Sequence, residues 1–496
     1  MNRREFARLC GAGLAGTASL LRTPLLPAEE SSAQSTQTNL HDTIRLYGDR
    51  AGRSQGVGYL ETPAVTPWIG ESGTATWELN VAEASECEVS VCYAASAGGW
   101  KCELSVSGNK LAGDMVRTEG RYWDSRFNFE RAHLAGTLHL PAGPISLTLR
   151  AWQEESYEVE EFWLPMRPAF VLRSVELTPV SAKPTIAAEQ QLARKQRANT
   201  EWMSDAGYGV MFHWNSRSAP RHGSRKGYDD AVRDFDLNAF VEAVERSGAG
   251  YALITTGWAD PCCPAPIRSW EKFFPGWTAR RDLIAEIAEA LGKRGIKFLL
   301  YFPSQTLGWG ENYERLNEVS TVEFMDIHRQ VLTEMGDRYG TGVAGYWFDG
   351  WGLVTVKFPD IPKEEFFHIC KVGNPDRVFA LSNWVFPLEN PWQDYLAGDL
   401  GSIENPPTSR YIEDGPGAGI QYHYCATLDE SNWAHESIET PMANPRFTDA
   451  RLVGYIKACM AQKVPITLNM GIFQEGTPGE KTLNQVQLLR RAIHGA

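Results

Sequence analysis

The segment VAGYWFDGWG, residues 343–352, carries a single carboxylate, Asp349, at the end of an aromatic run. A carboxylate that follows Tyr-Trp-Phe is costly to desolvate unless it is paired or takes part in chemistry. The glycine that comes next, Gly350, leaves room for a ligand to approach the backbone. The pattern predicts a reactive carboxylate at the end of a buried strand. A structural aspartate that caps a loop is the alternative.

A second carboxylate, Glu404, lies in the segment GSIEN further along the chain. Hydrolysis of a glycosidic bond by side chains alone uses two such groups, one acting at the anomeric carbon and one on the leaving oxygen. Glu404 is therefore our candidate for the second group, while a purely structural role stays open for it. Glu413, Asp414 and Glu430 follow on nearby loops and are alternatives for the acid.

Eight strand-like apolar runs follow Gly207 and alternate with amphipathic helical stretches. The runs span residues 208–214, 251–257, 296–302, 344–350, 377–383, 398–405, 421–427 and 464–470. The stretches between them, such as LNAFVEAVERSGAG, repeat apolar residues with helical spacing and end at glycines. This alternation predicts a (β/α)8 TIM-type barrel over residues 202–496. A doubly wound open sheet is the alternative, which we disfavour because no phosphate-binding glycine loop follows the first strand.

Active sites of such barrels lie at the C-terminal ends of the strands. The residues at the ends of the runs include His213, Trp258 with Asp260, Ser304 with Gln305, Asp349, Asn383, Glu404, Thr427 and Asn469. From this set we predict Asp349 and Glu404 as the catalytic pair. The predicted substrate-binding residues around the sugar and at the mouth of its pocket are His213, Trp214, Trp258, Asp260, Trp351, Asn383 and Trp433.

Residues 40–180 have a different period. Segments such as TATWELNV and CEVSVCYAA alternate polar and apolar residues between turns rich in Gly, Pro, Ser and Asn, which predicts an antiparallel β-sandwich. The order of the segments resembles carbohydrate-binding modules of the galactose-binding-like type. Sugar binding by this domain and simple packing against its neighbour both stay open. The polar, helix-prone residues 181–201 are predicted to form a linker helix.

The first 30 residues differ from the rest of the chain. Arg3 and Arg4 precede Phe6 and a short, mildly apolar stretch, an order that resembles a twin-arginine export signal. A frayed basic N-terminus is the alternative. We expect export to the periplasm or the extracellular space, with residues 31–39 as a polar linker.

The composition narrows the class of protein. Hydrophobic residues make up 43% of the 496 residues and charged residues 22%, which excludes a disordered chain, and no apolar run after the N-terminus is long enough for a membrane-spanning helix. A formal charge of −13 provides no global attraction for nucleic acid or anionic membranes. The 17 Trp, 17 Tyr and 21 Phe fit a neutral sugar as ligand, and core packing is the alternative that explains most of them. The nine cysteines have no zinc-like spacing, and we predict no metal, no cofactor and no disulfides.

From about Trp202 onward, several motifs in order carry a family resemblance. They are YGVMFHW, AVERSGAGYALITT, RRDLIAEIAEALGKRGIKFLLYF, YWFDG and ITLNMG with a later EGT. The region resembles the catalytic domain of the α-L-fucosidases, glycoside hydrolase family 29. The resemblance implies a retaining hydrolase whose nucleophile is the aspartate of Trp-Phe-Asp-Gly, which is Asp349. It also implies that the histidine of the first strand, His213, touches the sugar.

One motif departs from the family. After the second strand the family usually has a His-His-Asp-Gly stretch that contacts fucose, and this chain has TTGWADPCC, with Gly257 and Trp258 or their neighbours in place of the histidines. Because a site that reads hydroxyls discriminates through its polar groups, the change bears on which sugar is bound.

These observations predict an exported retaining glycoside hydrolase that removes a terminal α-L-fucosyl or related deoxy-sugar residue from an oligosaccharide or polysaccharide by double displacement. A glycosidase for a different sugar of a complex polysaccharide is one alternative, favoured by the altered second-strand loop. A non-catalytic carbohydrate-binding protein with a degenerate barrel is the other, and the intact YWFDG motif argues against it.

Overall fold

The structure is a computed structural model of the chain. It describes residues 36–37, 40–48, 51–53, 57, 66–68, 71–95, 98–118, 129–154, 170–258, 260–303, 319–382, 387–400, 403, 406–430 and 433–495. The predicted export signal, residues 1–30, lies outside these ranges. The chain divides into two compact units. The main part of the first unit ends at Leu192, and the main part of the second begins at Ala193.

The first unit consists of β-strands. They are β1 (Thr36–Gln37), β2 (Ile44–Tyr47), β3 (Gly52–Arg53), β4 (Thr66–Trp68), β5 (Ser72–Val81), β6 (Ser85–Ala95), β7 (Trp100–Val106), β8 (Asn109–Met115), β9 (Glu130–Leu140), β10 (Gly143–Gln153) and β11 (Phe170–Pro179). One sheet has the order β1-β5-β10-β7-β8, with β3 beside β5, and the other has the order β2-β11-β6-β9, with β4 beside β11. All pairs except β1 with β5 are antiparallel. The predicted antiparallel β-sandwich is confirmed.

The sandwich core follows from the period-two pattern. In β5 every second residue is buried, including Trp77 and Leu79, and Leu147 and Leu149 of the neighbouring β10 are buried beside them. Alternating side chains of a strand point to opposite faces, so one face of each sheet supplies the core. The indole N–H of Trp77 donates to the carbonyl of Tyr47 at 2.8 Å, which satisfies the polar atom of a fully buried ring.

The second face of the β2-β11-β6-β9 sheet carries a buried ion-pair network. Glu176 of β11 accepts two hydrogen bonds from Arg131, at 2.7 and 3.2 Å, and its other neighbour, Arg45, lies 3.5 Å away. Burial by itself would raise the pKa of Glu176, but the charges of Arg131 and Arg45 outweigh burial and lower it. The carboxylate therefore stays ionised inside the protein because two guanidinium groups surround it.

The second unit is a barrel of eight parallel strands. They are β12 (Tyr208–Phe212), β13 (Tyr251–Thr255), β14 (Lys297–Pro303), β15 (Gly345–Asp349), β16 (Val378–Leu381), β17 (Gly398–Leu400), β18 (Tyr424–Thr427) and β19 (Ile466–Asn469). The sheet order is β16-β15-β14-β13-β12-β19-β18-β17. The chain before β17 runs beside β16, where the backbone N–H of Asp394 donates to the Phe379 carbonyl at 2.9 Å. The predicted (β/α)8 barrel is confirmed.

Helices separate the strands. They are α1 (Lys183–Gln196), α2 (Glu201–Ala206), α3 (Tyr228–Arg233), α4 (Leu237–Ser247), α5 (Arg268–Phe273), α6 (Leu283–Gly292), α7 (Thr321–Tyr339), α8 (Trp351–Lys357), α9 (Lys363–Cys370), α10 (Asp449–Ala461) and α11 (Glu480–His494). Asp236 and Asp282 cap α4 and α6 by accepting backbone N–H groups, which satisfies donors that the first turn leaves open. No helix in the described ranges combines the length and apolar character needed to cross a bilayer.

Large side chains fill the barrel interior below the C-terminal strand ends. Met211, Leu253, Tyr301, Trp347 and Cys425, among others, form one buried cluster there. Glycines make room for the largest rings. A Cβ atom on Gly209 would lie 2.0 Å from the ring of Tyr251, so only glycine lets this ring pack against β12. Because this buried cluster fills the barrel interior, the inward-facing residues above it, at the C-terminal strand ends, line the mouth of the barrel.

Candidate active site

Asp349 is the last residue of β15, and its carboxylate is held in place by a tyrosine of the neighbouring strand. The hydroxyl of Tyr301 donates to Asp349 Oδ2 at 2.6 Å. Gly350 then adopts a φ of 69°, in the left-handed region that favours glycine, and α8 begins at once. The chain therefore turns away directly after the carboxylate, which leaves Asp349 at the strand end, as the sequence predicts.

Asp399 of β17 carries a second carboxyl, whose ionisation is opposed by the charge of Asp349. Burial raises the pKa of Asp399 well above its usual range, and the negative charge of Asp349 raises it further. Where two carboxyl groups oppose each other's ionisation in this way, one of them tends to keep its proton. Sequence reasoning missed Asp399, because it treated the sixth strand as a segment that leads to Glu404. The available signal was an aspartate in the middle of a short buried strand.

His213 follows β12 and lies at the centre of an aromatic cluster. Its ring centroid is 5.1 Å from that of Tyr301, 5.5 Å from Trp258 and 5.2 Å from Trp433. Trp258 and Trp433 are partly buried and pack against the barrel core. Two residues predicted to line the pocket or its mouth, Trp258 and Trp433, thus each contact the predicted His213, and Tyr301 joins this cluster to Asp349.

The protonation state of His213 follows from its partners. Its Nδ1 lies 2.7 Å from Asn469 Oδ1, and Asn469 Nδ2 donates to the Trp433 carbonyl at 2.8 Å. Because Asn469 Nδ2 donates to the Trp433 carbonyl, the atom that faces His213 is the amide oxygen of Asn469, which can only accept. His213 Nδ1 therefore carries the hydrogen and donates it to Asn469 Oδ1. Burial lowers the pKa of His213 to about 4. The hydrogen bond to Asn469 acts in the opposite direction and raises this pKa, but its effect is smaller. The imidazole is neutral, and its Nε2 can accept a hydroxyl.

A polar rim surrounds the cluster. The Ser216 hydroxyl donates to Asp260 Oδ2. Glu436 accepts from Asn215 Nδ2 at 3.2 Å and pairs with Arg217 at 3.1 Å. These residues follow His213, Trp258 and Trp433 closely in sequence. Asp260 therefore lies near the aromatic cluster, where its carboxylate accepts the hydrogen bond from Ser216.

Two predicted tryptophans lie elsewhere. Trp214 is on the opposite side of the chain from His213, where its Nε1 donates to the Gln474 carbonyl at 3.0 Å and its ring contacts Phe235 at 5.3 Å. Trp351 packs among aromatic residues of α7, β15 and α9. Its ring centroid lies 4.7 Å from that of Phe366 in α9. Both side chains are buried in the layer between strands and helices, so the structure does not bring them into the cluster.

The remaining predicted residues divide into two groups. Glu404, Asn383, Ser304 and Gln305 lie outside the described residues. The alternative acids are all exposed on loops, and they are Glu413, Asp414 and Glu430. Within the described part of the chain, no three His, Cys, Asp or Glu side chains are grouped so that they could hold a metal ion.

A (β/α)8 barrel with carboxyl groups and an aromatic cluster at the C-terminal strand ends has the architecture of a barrel glycoside hydrolase. The family model described as Alpha-L-fucosidase matches residues 226–487, more than half of the chain. The chain therefore belongs to the α-L-fucosidase family and is a glycoside hydrolase. No curated protein sequence matches the chain.

The chain is also similar to solved structures of α-L-fucosidases. The α-L-fucosidase AlfC of Lactobacillus casei, in complex with its α-L-fucose product, is 18% identical over 59% of this chain and 97% of its own, with a TM-score of 0.43. An α-L-fucosidase from Bacteroides thetaiotaomicron is 16% identical over 60% of this chain and 74% of its own, with a TM-score of 0.43.

Proposed function

We propose that this chain is an exported, retaining glycosidase that removes a terminal α-L-fucosyl or related deoxy-sugar residue from a glycan by double displacement. The observation that carries the proposal is the position of Asp349, with one oxygen held by the Tyr301 hydroxyl at the end of β15. A carboxylate held at a strand end in this way is positioned to act as a nucleophile. Export is supported by the sequence pattern of residues 1–30.

In the first step, Asp349 attacks the anomeric carbon as the bond from that carbon to the leaving oxygen breaks. Glu404 donates its proton to the leaving oxygen, so that the aglycone departs as a neutral alcohol and the sugar remains as an ester of Asp349. In the second step, Glu404 takes a proton from water, and the water oxygen attacks the same carbon. The ester bond breaks, Asp349 is restored and the sugar leaves with its original configuration.

The aromatic cluster supplies the binding site for the sugar. The rings of Trp258 and Trp433 provide apolar surface for the C–H faces and the methyl group of a deoxy-sugar. The neutral imidazole of His213, held by Asn469, accepts a sugar hydroxyl at Nε2. Substrate recognition therefore combines apolar contact with one oriented acceptor beside the nucleophile.

The test is hydrolysis of 4-nitrophenyl α-L-fucoside by the full chain, the Asp349→Gly variant and a matched control, Asp205→Asn, which alters an exposed aspartate of α2. We expect turnover that falls by at least about 10³-fold in Asp349→Gly and is unchanged in the control. Nuclear magnetic resonance of the first product formed should detect the α-anomer. Formation of the β-anomer, or equal activity of Asp349→Gly, would contradict the mechanism.

A glycosidase for a different sugar is the second candidate, and the observation that favours it is Trp258. An indole ring contacts His213 at the position after the second strand, where hydroxyl-reading histidines are usual in the family. A panel of other aryl glycosides assayed beside the fucoside separates the two. Turnover of another glycoside alone would establish this candidate, and binding of sugars without any turnover would indicate a carbohydrate-binding protein.

A further inference from the structure

Asp399 has no role in the two displacement steps, although it lies beside the nucleophile. Its side chain points into the barrel, as two neighbours show. Ala397, two residues earlier, belongs to the buried cluster of the barrel interior, and residues two apart on a strand share a face. Cys425, the register partner of Asp399 on β18, contacts Met211 inside the barrel, with 3.8 Å between the two sulfur atoms.

β16 pairs with the strand that carries Asp349, on the side toward β17. β16 pairs with β15 and carries the small residue Ala380 on its inward face. The inward positions of this strand hold no titratable group among the described residues, so the titratable groups that face Asp399 are Asp349 on β15 and Cys425 on β18. Within its described residues, β16 therefore places no titratable group between Asp399 and the nucleophile.

Among the described residues, Asp399 differs from the buried Asp394 and Asp429, which both accept hydrogen bonds. Asp394 accepts hydrogen bonds from Lys371 and two backbone N–H groups, and Asp429 accepts from Thr482 and the Gly471 N–H. Among the residues that the structure describes, none donates to or pairs with the Asp399 carboxyl. Enclosed polar groups in proteins are normally hydrogen-bonded, so a partly exposed carboxyl of this kind is suited to a ligand that supplies the missing bonds.

We propose that the Asp399 carboxyl binds a hydroxyl group of the glycone, beside the nucleophile. This inference rests on the proposed function of the barrel as a glycosidase. The enclosed setting and the opposing charge of Asp349 raise the pKa of Asp399 and so favour its neutral, protonated form. A neutral carboxyl both donates and accepts hydrogen bonds, so it can bind a hydroxyl without adding a second negative charge next to Asp349.

Two substitutions distinguish hydroxyl binding from proton transfer. Asparagine keeps the size and hydrogen-bonding capacity of a neutral carboxyl, whereas leucine keeps the approximate size and removes all polar atoms. We expect Asp399→Asn to retain kcat/KM on 4-nitrophenyl α-L-fucoside within about 5-fold and Asp399→Leu to lose about 10- to 100-fold. The affinity for L-fucose, measured by calorimetry, should fall in the same order. Asp205→Asn is the matched control, and thermal unfolding checks that every variant is folded.

Three results would overturn the inference. Equal affinity and activity of wild type and Asp399→Leu would mean that no ligand contacts this carboxyl. A loss in Asp399→Asn as large as in Asp399→Leu, rescued by azide and greatest for poor leaving groups, would make Asp399 the acid and base instead. A wild type that neither binds L-fucose nor cleaves the fucoside would overturn the proposed function, and this inference with it.

Discussion

Replacing Tyr301 by phenylalanine removes one hydroxyl group and keeps the ring that packs in the barrel core. The lost bond joins the hydroxyl to Asp349 Oδ2 over 2.6 Å and has a carboxylate as its acceptor. Hydrogen bonds to charged groups contribute about 1.5–3 kcal/mol. If this bond orients the nucleophile in the transition state, Tyr301→Phe should lower kcat/KM by about 10- to 150-fold. The contact with the His213 ring, at 5.1 Å, is retained because it involves only the ring.

The assay is steady-state hydrolysis of 4-nitrophenyl α-L-fucoside, with thermal unfolding measured on the same preparations. Tyr395→Phe is the matched control, because it removes another buried hydroxyl of the barrel core, one that donates to the Tyr346 carbonyl at 3.2 Å. We expect the control to lose stability and keep its activity per folded molecule. Full activity in a folded Tyr301→Phe variant would refute the claim that this hydroxyl positions the nucleophile. So would an equal loss in the control.

Three further predictions concern stability and the turn behind the nucleophile. Arg131→Ala leaves Glu176 poorly paired in the sandwich and should cost about 3–5 kcal/mol in urea unfolding at pH 7. That loss should shrink as the pH falls through the lowered pKa of Glu176, and a loss below about 1 kcal/mol would contradict the prediction. Burial lowers the pKa of His328 to about 4, so the unfolded state binds a proton that the native state refuses below about pH 6.5. As the pH decreases, this group should therefore lower the free energy of unfolding by up to about 1.4 kcal/mol per pH unit. His328→Leu should reduce the slope of the free energy of unfolding against pH, measured between pH 6 and 5. Identical slopes in the two proteins would show that His328 does not titrate on unfolding. Gly350→Ala places a side chain at a φ of 69°, which should lower the free energy of unfolding by about 1–2 kcal/mol and displace Asp349. An unchanged melting temperature would contradict the predicted strain, and unchanged turnover would contradict the predicted displacement of Asp349.

Both architectures could be predicted from the sequence, because local periodicity encodes them. The two-residue alternation of β5 and β10 and the helical spacing in α4 and α6 each reflect which face of an element is buried. The shortest strands were the hardest to delimit. The predicted runs 398–405 and 421–427 contain only β17, at Gly398–Leu400, and β18, at Tyr424–Thr427. Residues next to such short strands belong to loops whose path depends on distant contacts.

Which side of a strand faces the mouth was harder to predict. All five residues of β12 are buried, as is usual when helices cover the outer face of a parallel barrel, so burial there does not distinguish inside from outside. The sequence therefore selected both His213 and Trp214, and only His213 lies in the aromatic cluster. Trp351 was predicted at the mouth of the pocket, but α8 begins at this residue and turns its side chain toward α7 and α9.

The sequence by itself determined the strand that ends in Asp349, the strand that leads to His213 and the family to which both belong. Each of these depends on residues that are contiguous in the chain. The tertiary structure alone decided that Tyr301 holds Asp349, that Asn469 orients His213, and that the charge of Asp349 acts on Asp399 of β17. Those pairs are 48, 256 and 50 residues apart, respectively. They meet because closing the barrel sets the register between strands, which the local pattern of one segment does not encode.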